Sequence, residues 1–265
     1  MFVLGLCVGS FLNCAIYRIE SQKSLKGRSF CPHCKHTLHW WDLFPVFSFL
    51  FLQGKCLYCK AKISWQYPAV EIATGLVFLL IFLTQSTSTS GGPVWGVGPA
   101  LVWNYINLAF LFYIFSALIV IFIYDLKHYI IPDKVLFPAI IISLIFNFRF
   151  LIFGEFSSFI YAIIAAAIAS GFFLAIFLVS TGKAMGFGDV KLAVLMGLLL
   201  GLPNILAALF LAFFFGAIIG VTLMIFKKKN FKSEIPFGPF LIAGTFIAIF
   251  YGNQIIQWYT NFFQI

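Results

Sequence analysis

Val102-Trp-Asn-Tyr-Ile-Asn-Leu-Ala-Phe-Leu-Phe-Tyr-Ile-Phe-Ser-Ala-Leu-Ile-Val-Ile-Phe-Ile-Tyr124 runs without one charged side chain and then meets Asp125. A helix of about 20 apolar residues crosses the hydrocarbon layer of a bilayer. The stretch is therefore read as a membrane span; an isolated strand would leave its backbone groups unsatisfied in lipid. Working outward, stretches of spanning length or close to it recur at about 1–17, 67–84, 134–153, 156–180, 188–201, 204–226 and 237–258. That makes about eight helices, of which 188–201 is short enough to tilt or to stop partway. Composition agrees, since 62% of the residues are hydrophobic and only 9% charged, where a soluble domain carries roughly a quarter charged. The expected fold class is an all-α polytopic membrane protein. Its organisation reads as a first transmembrane helix at 1–17, a polar loop at 18–66 and a multi-helix membrane domain at 67–265.

Met1 to Ile16 lacks both a preceding basic region and a small-residue cleavage site, so it is read as a span and not a signal peptide. If the spans alternate, one side of the membrane collects 16 of the 17 basic residues. These are Arg18, Lys23, Lys26, Arg28, Lys35, Lys55, Lys60, Lys62, Lys127, Lys134, Lys183, Lys191, Lys227, Lys228, Lys229 and Lys232; the other side has Arg149 alone. The positive-inside bias places the rich side in the cytoplasm and both termini outside, in the periplasm of a bacterium. The connection at 85–99 carries no charge, as an outer loop should. The net charge of +9 thus reports orientation, and nucleic acid is not an expected partner.

The 18–66 loop holds Cys31-Pro-His-Cys34 and Cys56-Leu-Tyr-Cys59, with 21 residues between the pairs. Two such turns offer four thiolates, enough to complete a tetrahedral zinc site of the ribbon kind. A reducing cytoplasm weighs against disulfides, leaving a redox pair or simple buried cysteines as the alternatives. His33, His36 and His39 are bystanders on this reading, because four cysteines already fill the site. Such a site has no open position for water, so its expected role is to fold a loop too small to have its own core. Cys7 and Cys14, on the first span, are read as packing residues.

Only eight acidic residues occur. Asp125 closes the third span in Tyr124-Asp125-Leu-Lys-His-Tyr-Ile-Ile-Pro132-Asp133, and Asp189 opens the sixth in Gly186-Phe187-Gly188-Asp189-Val-Lys191. The alternation of sides puts both at the cytoplasmic face, and an ionisable group at that depth is a functional candidate. Paired carboxylates share a proton unequally, so one can deprotonate water while the other hydrogen-bonds a scissile carbonyl. Gly186 and Gly188 suit a backbone that must approach a bound peptide. Spacing alone leaves other readings open. Asp189 can cap its helix, or the two aspartates can couple an ion or proton in a transporter, although no convincing inverted repeat supports one. Asp133, after Pro132, is placed to cap the fourth span.

Six segments in order resemble the prepilin peptidase family, the leader peptidases and N-methyltransferases of type IV pilus and type II secretion systems. They are Gly9-Ser-Phe-Leu-Asn13 with Tyr17-Arg18, the two cysteine pairs enclosing Trp41-Asp42-Leu-Phe-Pro45-Val-Phe-Ser48, and Tyr67-Pro68-Ala-Val-Glu71. The others are Asp125 to Asp133, Gly186-Phe-Gly-Asp189-Val-Lys-Leu192 and Pro236-Phe237-Gly238-Pro239-Phe240. The resemblance implies cleavage of a prepilin or pseudopilin leader after a glycine, on the cytoplasmic side of the inner membrane, with Asp125 and Asp189 as the catalytic pair. It also implies N-methylation of the new N-terminus by S-adenosylmethionine. No Rossmann glycine fingerprint marks a donor site, and Glu71 is the candidate for methyltransferase or leader contact. Rival readings are a non-catalytic assembly factor and a peptidase without the methyltransferase. Since the family's leaders are basic like this cytoplasmic face, Glu20, Asp42, Glu71 or Glu234 is expected to pair with them locally.

Overall fold

Lipid offers a backbone no hydrogen-bond partner but itself, and the described residues of the computed structural model answer almost entirely with helices. Those residues are 1–24, 26–87, 99–183, 185–226 and 236–263. The expected outer loop falls largely, and Lys227 to Glu234 entirely, outside them. The order is α1 (Phe2–Glu20), a 3-10 turn (Trp40–Leu43), α2 (Phe47–Phe51), α3 (Gln66–Thr87), α4 (Pro99–His128), α5 (Asp133–Ile152), α6 (Phe156–Val179), α7 (Phe187–Leu200), α8 (Asn204–Ile225) and α9 (Gly238–Phe263). Seven of these helices are long and apolar enough to cross a membrane. The eighth expected span is α7, whose 14 residues extend only about 21 Å against a hydrocarbon layer of about 30 Å.

The chain divides into two compact units, Met1–Val120 and Ile121–Ile265. In the first, α1 packs on α3 through glycines that bring the backbones together. A Cβ on Gly5 would lie 2.7 Å from Gly75 Cα, and one on Gly9 2.7 Å from Glu71 Cα. Small residues at crossings are how helices attract in lipid, where hydrophobic burial supplies no drive. Two polar side chains anchor the loop that follows. Arg18, buried at the end of α1, donates to the carbonyls of Ser24, Gly27 and Arg28. Asn13 donates to the Tyr67 carbonyl at 3.0 Å.

In the second unit α7 is the central helix, packed by α5, α6, α8 and α9. Gly197 lets α7 press against the Ala165–Ala166 backbone of α6, and Gly244 of α9 does the same against Ala208 of α8. A helix that ends inside an apolar layer leaves carbonyls to satisfy. Here the buried Asn147 of α5 donates to the Leu198 carbonyl at 3.0 Å, and Gly201 N–H closes on the Gly197 carbonyl at 2.9 Å. Gly201 takes φ +61° at the helix end, a conformation glycine reaches without a Cβ clash. These bonds satisfy two of the carbonyls that the short helix leaves at its tail.

Candidate active site and metal centre

The second unit brings together the two carboxylates that sequence separates by 64 positions. Asp125 sits on the last turns of α4 and Asp189 on the first turn of α7; they are 4% and 8% exposed. Gly186, in extended conformation, is the N-cap of α7, so Asp189 is its third helical residue. The Asp189 carboxylate accepts a hydrogen bond from the Gly186 backbone, satisfying a donor that a helix N-terminus leaves free. The Asp125 carboxylate accepts the Gly238 backbone N–H, at the start of α9. Two helix N-termini, each carrying partial positive charge, therefore meet two acidic side chains that lie within electrostatic range of each other.

Ile131 explains how the parts are spaced. It follows α4, is buried, and stands 3.1 Å from where a Gly188 Cβ would be and 3.6 Å from a Gly238 Cβ. A Cβ at Gly188 would make Ile131 give by a few tenths of an ångström, whereas at Gly238 the contact with Ile131 is ordinary and the obstacle is Asp125 Oδ2 at 2.5 Å. The sequence marks Gly188 as a candidate beside Asp189, whereas Gly238 stands there only within the Pro236–Phe240 motif. Its one local signal is a glycine between Phe237 and Pro239 at a span entrance.

Asp133 does not cap α5; Pro132 occupies the cap position and no side-chain cap bond forms. The Asp133 carboxylate, 53% exposed, instead meets Lys191 Nζ at 2.8 Å, because α7 carries that lysine up to the start of α5. Asp189 does not occupy the cap position of α7, which belongs to Gly186, but its bond to the Gly186 backbone caps the helix from the third position.

In the first unit, the two cysteine pairs sit on matching turns. Cys31 N–H donates to the His36 carbonyl and Cys56 N–H to the Ala61 carbonyl, at 2.9 and 2.8 Å. Lys35 and Lys60 accordingly take φ of 59° and 58°, one residue after the second cysteine of each pair. The four sulfurs lie within 4.8 Å of one another, with Cys31 and Cys59 at 3.9 Å. Tetrahedral zinc with Zn–S bonds of about 2.3 Å spaces its sulfurs about 3.8 Å apart, so the geometry fits such an ion after slight contraction. Burial opposes a thiolate at Cys31, but hydrogen bonds from the Cys34 and His33 backbone and from the Cys34 and Cys56 side chains outweigh it and bring the thiol down to about 7. The Ala61 backbone favours a thiolate at Cys59, yet burial and the Cys56, Cys34 and Cys31 sulfurs push it up to about 11. Four protons do not leave together without a cation to replace them.

Glu71 lies buried in α3, its Oε2 accepting the Val46 N–H at 2.7 Å. Val46 has φ 61° and ψ −48°, and Phe47 N–H closes on the Pro45 carbonyl at 2.6 Å. That is a classic γ-turn, a rare and strained form, on a β-branched residue that seldom accepts positive φ. Asp42 is engaged in the same loop, accepting the His39 N–H and the Tyr58 hydroxyl, both at 3.0 Å. Glu234, expected as another leader contact, lies outside the described residues.

The fold and these two centres define a polytopic helical membrane protein with a buried aspartate pair and a four-cysteine metal-type cluster. Two family models match it: the bacterial peptidase A24 N-terminal domain over residues 3–85 and the type IV leader peptidase family over residues 112–221. Similar curated proteins include the prepilin leader peptidase/N-methyltransferase of Bacillus subtilis strain 168, 32% identical over 98% of this chain and 96% of the relative. Those of Stutzerimonas stutzeri, 30% identical over 99% and 93%, and Pseudomonas aeruginosa, 31% over 98% and 92%, are also similar. No significant match to a solved structure was found. The chain belongs to the prepilin leader peptidase/N-methyltransferase family.

Proposed function

We propose that the chain cleaves the short leader of prepilins or pseudopilins after its terminal glycine, with Asp125 and Asp189 as the catalytic pair. The supporting observation is the convergence of two buried carboxylates on the N-terminal turns of α7 and α9. One carboxylate takes a proton from water, whose oxygen adds to the scissile carbonyl carbon. The other carboxyl group, protonated, gives its proton to the carbonyl oxygen. Collapse of the tetrahedral intermediate breaks the C–N bond, and a proton from the pair passes to the leaving amine. The N–H groups of Gly238 and Gly186 hold the carboxylates in orientation. Gly186, where a Cβ would meet nothing nearer than 3.9 Å, keeps a side chain out of the way of an extended peptide, whereas Gly188 makes room for Ile131.

The family membership supports methylation of the new N-terminal amine, with S-adenosylmethionine supplying the methyl group. No residue cluster among those described identifies the donor's site. Zinc held by Cys31, Cys34, Cys56 and Cys59 closes the 18–66 loop as a structural ion. Up to α7, the alternation of α1, α3, α4, α5 and α6 collects 12 basic residues on the side of both centres against Arg149 on the other, which supports a cytoplasmic face for them in a bacterial inner membrane.

Cleavage of a pilin precursor by the detergent-solubilised protein tests the reading. Asp125→Ala and Asp189→Ala are each expected to abolish it while the protein stays folded in the membrane. Normal processing by either variant overturns the assignment, and a mass gain of one methyl group on the product distinguishes two activities from one.

A further inference from the structure

Outside the spanning helices, one surface has no role in either centre. The helix α2 reads Phe47-Ser-Phe-Leu-Phe51, apolar on nearly every side, and it is tied to the start of α3 at two points. The Glu71 carboxylate holds Val46, at the N-cap of α2. The buried Phe49 ring meets Trp65, the residue before α3 begins, edge-on with centroids 4.9 Å apart. Since α3 is of spanning length from Gln66, its first turn stands at the boundary between hydrocarbon and water. The short helix is thereby held at the depth where amphipathic aromatic rings collect.

At that depth α2 shows Leu50 outward in a groove shared with Trp65, 75% exposed, and on another side Phe47 and Phe51, the latter 85% exposed, in a groove that Asp42 also lines. Lys55 and Lys62 face each other across an antiparallel bridge next to Trp65, and both are exposed. From Leu43 to Gln66 the sequence contains no acidic residue, and the whole 18–66 loop carries eight basic residues against Glu20 and Asp42. The groove in which Lys55 and Lys62 flank Leu50 and Trp65, with no acidic residue among its lining, complements an anionic lipid surface.

We propose that Phe47, Leu50, Phe51 and Trp65 enter the headgroup region of the bilayer while Lys55 and Lys62 bind an anionic phospholipid headgroup. The cysteine turns at 31–36 and 56–61 are then laid against the membrane and do not project into water. A soluble partner would need this face clear of lipid, which its attachment to the first turns of α3 prevents.

The test uses full-length protein in phosphatidylcholine nanodiscs containing brominated phosphatidylglycerol. Trp40, Trp41, Trp95, Trp103 and Trp258 are replaced by Phe, leaving Trp65 as reporter. Trp65 fluorescence is expected to be quenched well beyond the bulk fraction of the brominated lipid. Each lysine near the surface gives about a fivefold preference for an anionic headgroup, so the pair gives about 25-fold. Lys55→Gln with Lys62→Gln is expected to remove that enrichment. Quenching of Trp65 by aqueous acrylamide and not by lipid overturns the proposal and leaves the face to a protein partner. Equal quenching by brominated phosphatidylcholine and phosphatidylglycerol overturns the headgroup site. Should the single-tryptophan protein fail to fold, hydroxyl-radical labelling of the unsubstituted protein in discs decides. Phe51 and Trp65 are expected to be protected relative to the unfolded chain, and labelling at the unfolded rate refutes the idea.

Discussion

Gly238→Ala adds one methyl group at the place where α9 meets Asp125. The new Cβ would stand 2.5 Å from Asp125 Oδ2 and 3.2 Å from its Cγ. Ordinary contact requires about 3.5 Å, so the carboxylate must retreat by about 1 Å, and its hydrogen bond from the Gly238 N–H is lost or bent. A displacement of that size in a reacting group costs about 100-fold in rate, equivalent to about 2.7 kcal/mol of activation free energy. The hydrogen bond withdrawn from the buried carboxylate costs about 1–3 kcal/mol of stability, which the packing of α9 can absorb. The variant is therefore expected to remain folded with a somewhat lower melting temperature while its kcat for leader cleavage falls about 100-fold. Gly216→Ala is the control, since its Cβ would meet Phe237 at 3.5 Å and Phe240 at 3.6 Å, ordinary contacts. A folded Gly238→Ala enzyme that cleaves within about twofold of wild type would refute the placement of Asp125 in the chemistry.

Glu71→Ala leaves the Val46 N–H without its acceptor and should cost about 1–3 kcal/mol, whereas Glu71→Gln keeps an acceptor oxygen and should cost less; thermal unfolding in detergent compares them. Gly197→Leu would drive a side chain into the Ala165–Ala166 backbone, an overpacking of about 3 kcal/mol or more, read as lost yield of folded protein. Asp133→Asn and Lys191→Gln break an ion pair whose carboxylate is half-exposed. Each should change stability by no more than about 1 kcal/mol and leave cleavage intact, which separates Asp133 from the buried pair. Replacing Cys31 and Cys56 by serine should abolish bound zinc by metal analysis and speed hydrogen exchange across residues 29–63, with no such change in α7.

Both cysteine turns were readable in advance because their chemistry is local: two residues between cysteines set the bite, and a thiolate pair needs little else. The span at 102–124 was readable because lipid enforces a continuous apolar run. The stretch at 188–201 resisted the same logic. Its length is wrong for a span, and only the packing of α5, α6, α8 and α9 around it, with Asn147 at its tail, shows how a shorter helix survives there. Asp133 looked like a cap from its place after Pro132. The lysine that takes its charge is 58 positions away.

The amino-acid order by itself determined that this is a helical membrane protein with a four-cysteine loop and two aspartates at span ends. Those features follow from runs of apolar residues and from spacings within single turns. Tertiary structure alone brought Asp125 onto the N-terminus of α9 and within electrostatic range of Asp189, made Gly238 its neighbour, and set Glu71 against the strained turn at Val46. The physical reason is that each of these contacts joins segments distant in the chain. Their meeting depends on how helix surfaces with glycine at the crossings choose one another, and local residue pattern carries no record of that choice.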